Sequence, residues 1–108
     1  MFSNYKNLID LDNAYESEKK KLDDELQRLN ELRYQVRKDN NQSYDLFLYL
    51  KNKMDYSDEA LSKTINILEE YEDEAKKYIR QQEMKLESNK ETIKKAYSKQ
   101  YEKIEEMD

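Results

Sequence analysis

Carboxylates are the only side chains of this sequence that cluster in a way that suggests chemistry. They form two runs, Asp23-Asp24-Glu25 and Glu69-Glu70-Tyr71-Glu72-Asp73-Glu74. Helical proteins that bind two metal ions hold them with inward-facing carboxylates and Glu-x-x-His pairs. Because this sequence has no histidine, we do not expect such a site, and we interpret both runs as solvated helix faces.

Other catalytic residue types are also absent. The sequence contains no cysteine and no glycine. A serine or threonine nucleophile needs a neighbouring base, and phosphate-binding loops need glycine so that the backbone can approach the phosphate. We therefore predict that the protein is not an enzyme and has no cofactor.

The missing glycine and proline also predict the fold, because these residues form the tight turns of sheets and compact folds. Apolar residues instead recur every seven positions, as in the buried stripe of a long helix. The first track is Leu8, Tyr15, Leu22, Leu29, Val36, Ser43 and Leu50, flanked by Leu11, Leu26, Leu32, Leu46, Phe47 and Met54. The second is Ile65, Glu72, Ile79, Leu86, Ile93, Gln100 and Met107, flanked by Leu61, Leu68, Ala75, Ala96, Tyr97 and Ile104. We predict an all-α chain.

Two polar segments are candidates for the turn between the helices. The repeat stays in phase across residues 39–43, which favours one helix there, bent or straight, over a break. Residues 55–57 offer Ser57 as an N-cap, followed by two acids where the helix dipole favours them. We therefore expect one domain, residues 1–108, folded as an antiparallel two-helix hairpin. Its arms are residues 4–54 and 58–106, its turn is 55–57, and it completes a larger bundle with partners because two helices bury little.

The charge pattern limits the partners. The net charge is −5, with ten basic and ten acidic side chains in residues 1–54 and ten and fifteen in residues 55–108. Such an acidic, mixed surface does not suit phosphate backbones, so we expect no nucleic acid. The longest apolar run, residues 46–50, is too short for a membrane span. The start has no secretory signal pattern.

Several apolar residues off the seam, together with Leu46 on its flank, are candidates for partner contact, since tyrosine is enriched at interfaces. The candidate partner-binding residues are Leu46, Leu48, Tyr49, Ile67, Tyr71 and Tyr78. Polar residues near the middle have two open interpretations: they fix the register as buried amides do in coiled coils, or they face solvent. They are Asn40, Ser43, Gln82 and Asn89.

The chain as a whole resembles the small helical accessory proteins of Gram-positive type VII secretion, in particular the partners of LXG-domain toxins. The resemblance depends on a length near 100 residues, the leaderless start Met-Phe-Ser-Asn-Tyr-Lys, charged helices at residues 16–26 and 79–86, and the apolar patch at 46–50. The Trp-x-Gly tripeptide of related secreted proteins is missing, and Asp55-Tyr56-Ser57 stands in its place.

The resemblance implies a targeting chaperone that binds the N-terminal helical domain of a secreted toxin, with a second small helical protein as a further partner. It implies a cytoplasmic protein that is co-secreted without a cleaved signal peptide. Some members carry a C-terminal Tyr-x-x-x-Asp/Glu export signal, which Tyr101 and Glu105 match. The alternative is a self-associating structural coiled coil, a homodimeric four-helix bundle; a prefoldin-like holdase is disfavoured because no strand pattern joins the arms.

Overall fold

A computed structural model describes residues 1–107 and contains two long α-helices. Helix α1 is Leu8–Met54 and helix α2 is Asp58–Met107. They form an antiparallel hairpin, so the predicted all-α hairpin is confirmed. Helix α1 runs without interruption through residues 39–43, and it begins at Leu8 rather than near residue 4.

The start of α1 is set by Asn7, although the predicted arm of residues 4–54 includes this residue. Its Oδ1 accepts a hydrogen bond from the Asp10 backbone N–H at 2.9 Å, and its Nδ2 donates to Asp10 Oδ2 at 2.7 Å. This reciprocal pair satisfies a backbone donor that has no partner within the first helical turn. Asn7 is therefore the N-cap, and the residues before it are not helical.

The turn between the helices is built without glycine. Asp55 adopts the left-handed conformation, with φ of 56°, and the Tyr56 N–H donates to the Lys51 carbonyl at 3.3 Å. This is the bonding pattern of a Schellman motif, which glycine usually completes. Ser57 caps α2, as predicted: its Oγ accepts from the Ala60 N–H at 3.1 Å. Lys51 also pairs with Asp58 at 2.9 Å across the turn, which holds the pKa of that carboxyl below its usual value.

The chain divides into two compact units, each containing parts of both helices. The terminal unit joins Met1–Arg28 to the part of the chain from Gln82 onward, and the turn unit is Leu29–Gln81. Each unit has its own buried residues, described next.

The terminal unit has a core that includes a residue outside the helices. Phe2 is buried together with Leu11, Ile93 and Ile104. The segment before α1 is held by a turn between Phe2 and Tyr5 and by the Gln100 side chain, which donates to the Tyr5 carbonyl at 2.7 Å. Phe2 and Tyr5 of this segment thus cover one end of the apolar seam.

Aromatic side chains extend this core. The rings of Tyr15 and Tyr97 stack with centroids 4.4 Å apart, and Phe2 meets Tyr15 edge-on at 6.4 Å. Tyr101 packs against the same cluster and lies 5.9 Å from Tyr97. The tyrosines assigned to the seam from the repeat are therefore packing residues.

The turn unit buries Val36 and Ile79 together with one amide, Asn40. The Asn40 Nδ2 donates to the Leu68 backbone carbonyl of the other helix at 2.8 Å. This decides between the two open interpretations for Asn40: its side chain is a buried amide that forms a hydrogen bond between the helices. Ser43 is instead exposed.

Four apolar residues that the repeat assigned to the seam are exposed. Leu32 is 41% exposed, Leu46 59% and Met54 60%. Met107, at the end of the second track, is 67% exposed. In the terminal unit, Asn89 is exposed and Gln82 is half-buried. The assignment was wrong at the four apolar positions because a two-helix contact covers a narrower stripe than a repeat with two or three apolar positions per heptad provides.

Candidate partner-binding surface

The acidic runs of the sequence are engaged in ion pairs or solvated. Asp23 pairs with Lys90 of the other helix at 2.7 Å. Glu72 lies between Arg37, at 3.9 Å, and Lys76, at 3.3 Å. Within residues 1–107, no group of three or more acidic side chains is arranged to hold a metal ion. The same residues include no helix that is long and apolar enough to cross a membrane.

All six candidate partner-binding residues belong to the turn unit. Five of them are more than half exposed: Leu46 59%, Tyr49 59%, Ile67 65%, Tyr71 52% and Tyr78 56%, whereas Leu48 is half-buried. Helix geometry separates these residues into different faces.

On α2, Ile67, Tyr71 and Tyr78 lie within an arc of about 40°, because each residue of an α-helix advances by about 100°. This arc lies about a quarter turn from the buried Ile79 and on the side away from Lys76. The three side chains therefore form one stripe beside the seam rather than a scatter of apolar residues.

On α1, Leu32 and Leu46 are fourteen residues apart, two heptads on one line of the helix surface. Around the axis of α1, both residues lie about a quarter to a third of a turn from the buried Asn40. The direction of this rotation is the same as the direction from Leu68 to Ile67 around the axis of α2. In an antiparallel helix pair, positions rotated from the seam in the same sense share a face. We name Leu32, Leu46, Ile67, Tyr71 and Tyr78 the apolar strip.

The opposite face of the turn unit confirms this geometry. Arg37 and Glu72 are both rotated from the seam in the other sense, and they meet at 3.9 Å. Leu48 lies toward that face. Tyr49 lies on the back of α1, where the Lys53 ammonium sits 5.6 Å from its ring centroid. The structure therefore brings together four of the six candidates and separates Leu48 and Tyr49 from them.

The apolar strip is large for an exposed surface. Its five partly exposed side chains present roughly 500 Å² of apolar area, judged from the size of aliphatic and aromatic side chains. From Ile67 to Tyr78 it extends about 16 Å along α2. A stable protein interface covers about 800 Å² on each partner, of which about 57% is apolar. The strip is of the size expected for the apolar part of such an interface.

The candidate export residues lie in the terminal unit. Tyr101 is half-buried against the core, and Glu105, one helical turn further on, is exposed. The pKa of Tyr101 is raised mainly by its hydrogen bond to the Glu105 side chain, and the negative charge of Glu105 acts in the same direction. The pair presents one exposed carboxylate beside a tyrosine whose ring belongs to the core.

Sequence reasoning missed Leu32 as a surface residue, because its heptad position also fits the seam. The signal that could have found it is its spacing from Leu46, which was itself proposed for partner contact. Comparisons of the chain with protein-family models, curated proteins and solved structures found no match.

Proposed function

We propose that this protein is a non-enzymatic targeting chaperone that binds the N-terminal helical domain of a type VII-secreted toxin and supports its export. The observation that carries the proposal is the apolar strip: one face of the turn unit exposes five large apolar side chains on both helices. A helical partner packed there would bury them and extend the two-helix seam into a bundle.

Two further features support this function. The hairpin has the helix–turn–helix organisation that the resemblance to LXG-toxin partners implies, with Asp55-Tyr56-Ser57 at the turn. The Tyr101–Glu105 pair, in the terminal unit, is the candidate export signal. Toxin binding and export would then depend on different residues in different units.

The test is co-expression of the full chain with the N-terminal helical domain of an LXG toxin encoded by the neighbouring gene. We expect the two to co-purify, and we expect the double variant Tyr71→Ala/Tyr78→Ala to abolish this. Truncating an interface aromatic typically costs at least about 2 kcal/mol, or roughly thirtyfold in affinity. The matched control is Tyr34→Ala/Tyr49→Ala, which removes two equally exposed tyrosines that lie off the strip.

Export is measured separately, as toxin in the culture medium. Glu105→Ala removes the exposed carboxylate, and Tyr101→Ala removes the ring; both should reduce export while co-purification persists. Because the Tyr101 ring packs against the core, helicity is measured for that variant, and Glu102→Ala serves as the control for the exposed carboxylate. Absence of any neighbouring toxin gene, or co-purification that survives the Tyr71/Tyr78 change, would contradict the proposal.

A further inference from the structure

The apolar strip has acidic side chains along one edge and within its α1 part. On α2, Glu70 and Glu74 follow the outer edge of the stripe, next to Ile67 around the helix. On α1, Asp39 lies midway between Leu32 and Leu46, seven residues from each. All three carboxylates are exposed, and they surround the middle of the strip, where Tyr71 lies.

These carboxylates are not neutralised by the chain itself. In the part of the chain that the structure describes, no salt bridge joins Glu70 or Glu74 to a lysine or an arginine. Asp39 accepts a hydrogen bond from the uncharged amide of Gln35 at 2.8 Å. The contrast is Glu72, on the other face, which pairs with two cations. The strip therefore combines large apolar side chains with three carboxylates that form no salt bridge within residues 1–107.

We infer that the apolar strip binds an amphipathic helix of about three turns from a partner protein, with lysine or arginine flanking its apolar positions. The length follows from the roughly 16 Å that the strip covers along α2, since an α-helix rises about 5.4 Å per turn. The charge follows from complementarity, which governs partner choice at interface rims. The inference deepens the proposed function and rests on it only in taking the partner to be a helical protein.

A second copy of the chain does not fit this surface. Asp39 and Glu70 stand at nearly the same level of the hairpin, because Asn40 faces Leu68 and Arg37 faces Glu72, and Glu74 is one turn away, so all three lie near the centre of the strip. Packing two strips face to face about a two-fold axis through this centre would oppose these carboxylates to one another. Like charges set against each other at an interface disfavour that pairing.

The experiment uses two synthetic helical peptides of about 18 residues, long enough to cover the strip. Both carry leucine at the same heptad positions; the flanking positions are lysine in one and glutamate in the other. Each is labelled and titrated with the full chain, and binding is followed by fluorescence anisotropy. We expect the lysine peptide to bind at least tenfold more tightly, and the preference to shrink at about 500 mM salt, which screens exposed charges.

Variants of the chain locate the binding. Glu70→Lys/Glu74→Lys should reverse the peptide preference, and Tyr71→Ala/Tyr78→Ala should weaken both peptides. The matched control is Glu102→Lys/Glu106→Lys, which makes the same change in net charge at two exposed positions of α2 with the same spacing. It should leave the preference intact, which excludes a general attraction between a basic peptide and an acidic protein.

Equal binding of the two peptides, or a preference that survives Glu70→Lys/Glu74→Lys, would overturn the inference. So would a wild-type dimer, measured by sedimentation, that Tyr71→Ala/Tyr78→Ala converts to a monomer, because the strip would then belong to a second copy. If the toxin domain fails to co-purify while the peptide preference holds, the proposed function fails and this inference stands. If the toxin domain co-purifies and the peptides bind alike, only this inference fails.

Discussion

The Tyr97 hydroxyl donates a 2.6 Å hydrogen bond to Asp12 Oδ1, which joins the two helices within the terminal unit. The hydrogen bond to Asp12 raises the pKa of Tyr97 to about 12, with desolvation and the Asp12 charge acting in the same direction. The cause is simple: ionising the phenol removes the donor and places a phenolate beside a carboxylate. The ring also stacks on Tyr15, so a core contact carries a titratable group.

This pair predicts a loss of stability in alkali. The folded-state pKa of Tyr97 is higher than the unfolded value of about 10. The stability that this hydrogen bond contributes is therefore fully present below pH 10. It is lost as the pH rises from 10 through about 12. Urea unfolding of the wild type and of Tyr97→Phe should therefore differ by about 0.5–1.5 kcal/mol at pH 9 and converge toward pH 12. The exposed change Tyr34→Phe is the control, and a difference independent of pH would refute the assignment.

The burial of Phe2 predicts that the segment before α1 contributes to stability. Phe2 is 3% exposed, and Phe→Ala in a core typically costs about 3–5 kcal/mol; near a chain end we expect the lower part of that range. The control is Ile9→Ala, which removes an apolar side chain that is 74% exposed and should change stability by less than about 0.5 kcal/mol. Equal effects of the two changes on thermal unfolding would show that Phe2 is not part of the core.

The bond between Asn40 and the Leu68 carbonyl predicts a large effect for a small change. Asn40→Asp replaces the donor with a carboxylate that faces a carbonyl oxygen, and leaving such a buried group unsatisfied costs about 1–3 kcal/mol. Asn41→Asp makes the same chemical change at the exposed neighbouring position and should have little effect. Urea denaturation at pH 7 measures both, and similar values for the two variants would mean that Asn40 is not buried in solution.

The positive φ of Asp55 predicts a stabilising substitution. A residue with a side chain pays about 1–2 kcal/mol for the left-handed conformation, and glycine avoids that cost. Glycine loses more entropy than aspartate on folding, which offsets part of this gain. We therefore expect Asp55→Gly to raise the free energy of unfolding by about 0.5–1 kcal/mol. Asp45→Gly, in the middle of α1, should instead destabilise, because glycine is a poor helix former. Thermal unfolding of both variants tests this, and destabilisation by both would exclude the left-handed turn.

The local structure could be predicted from the sequence because local interactions determine it. The seven-residue repeat and the absence of glycine and proline predict two helices, and Ser57 with its following acids predicts where the second begins. The in-phase positions Val36 and Leu50 argue for continuity through residues 39–43. Each of these signals depends on neighbours within one or two helical turns.

The tertiary structure decided which side chains lie in the seam and which lie on the surface. A heptad repeat gives more apolar positions than one neighbouring helix can cover. Val36 and Leu32 therefore fit the same repeat, although Val36 lies in the seam and Leu32 on the surface. Phe2 is buried with Ile93 and Ile104, which are far away along the chain. Asn40 and Ser43 looked alike as polar residues near the middle, but Asn40 donates to a carbonyl of the other helix whereas Ser43 is exposed. These outcomes follow from distances between residues remote in sequence, which no local pattern contains.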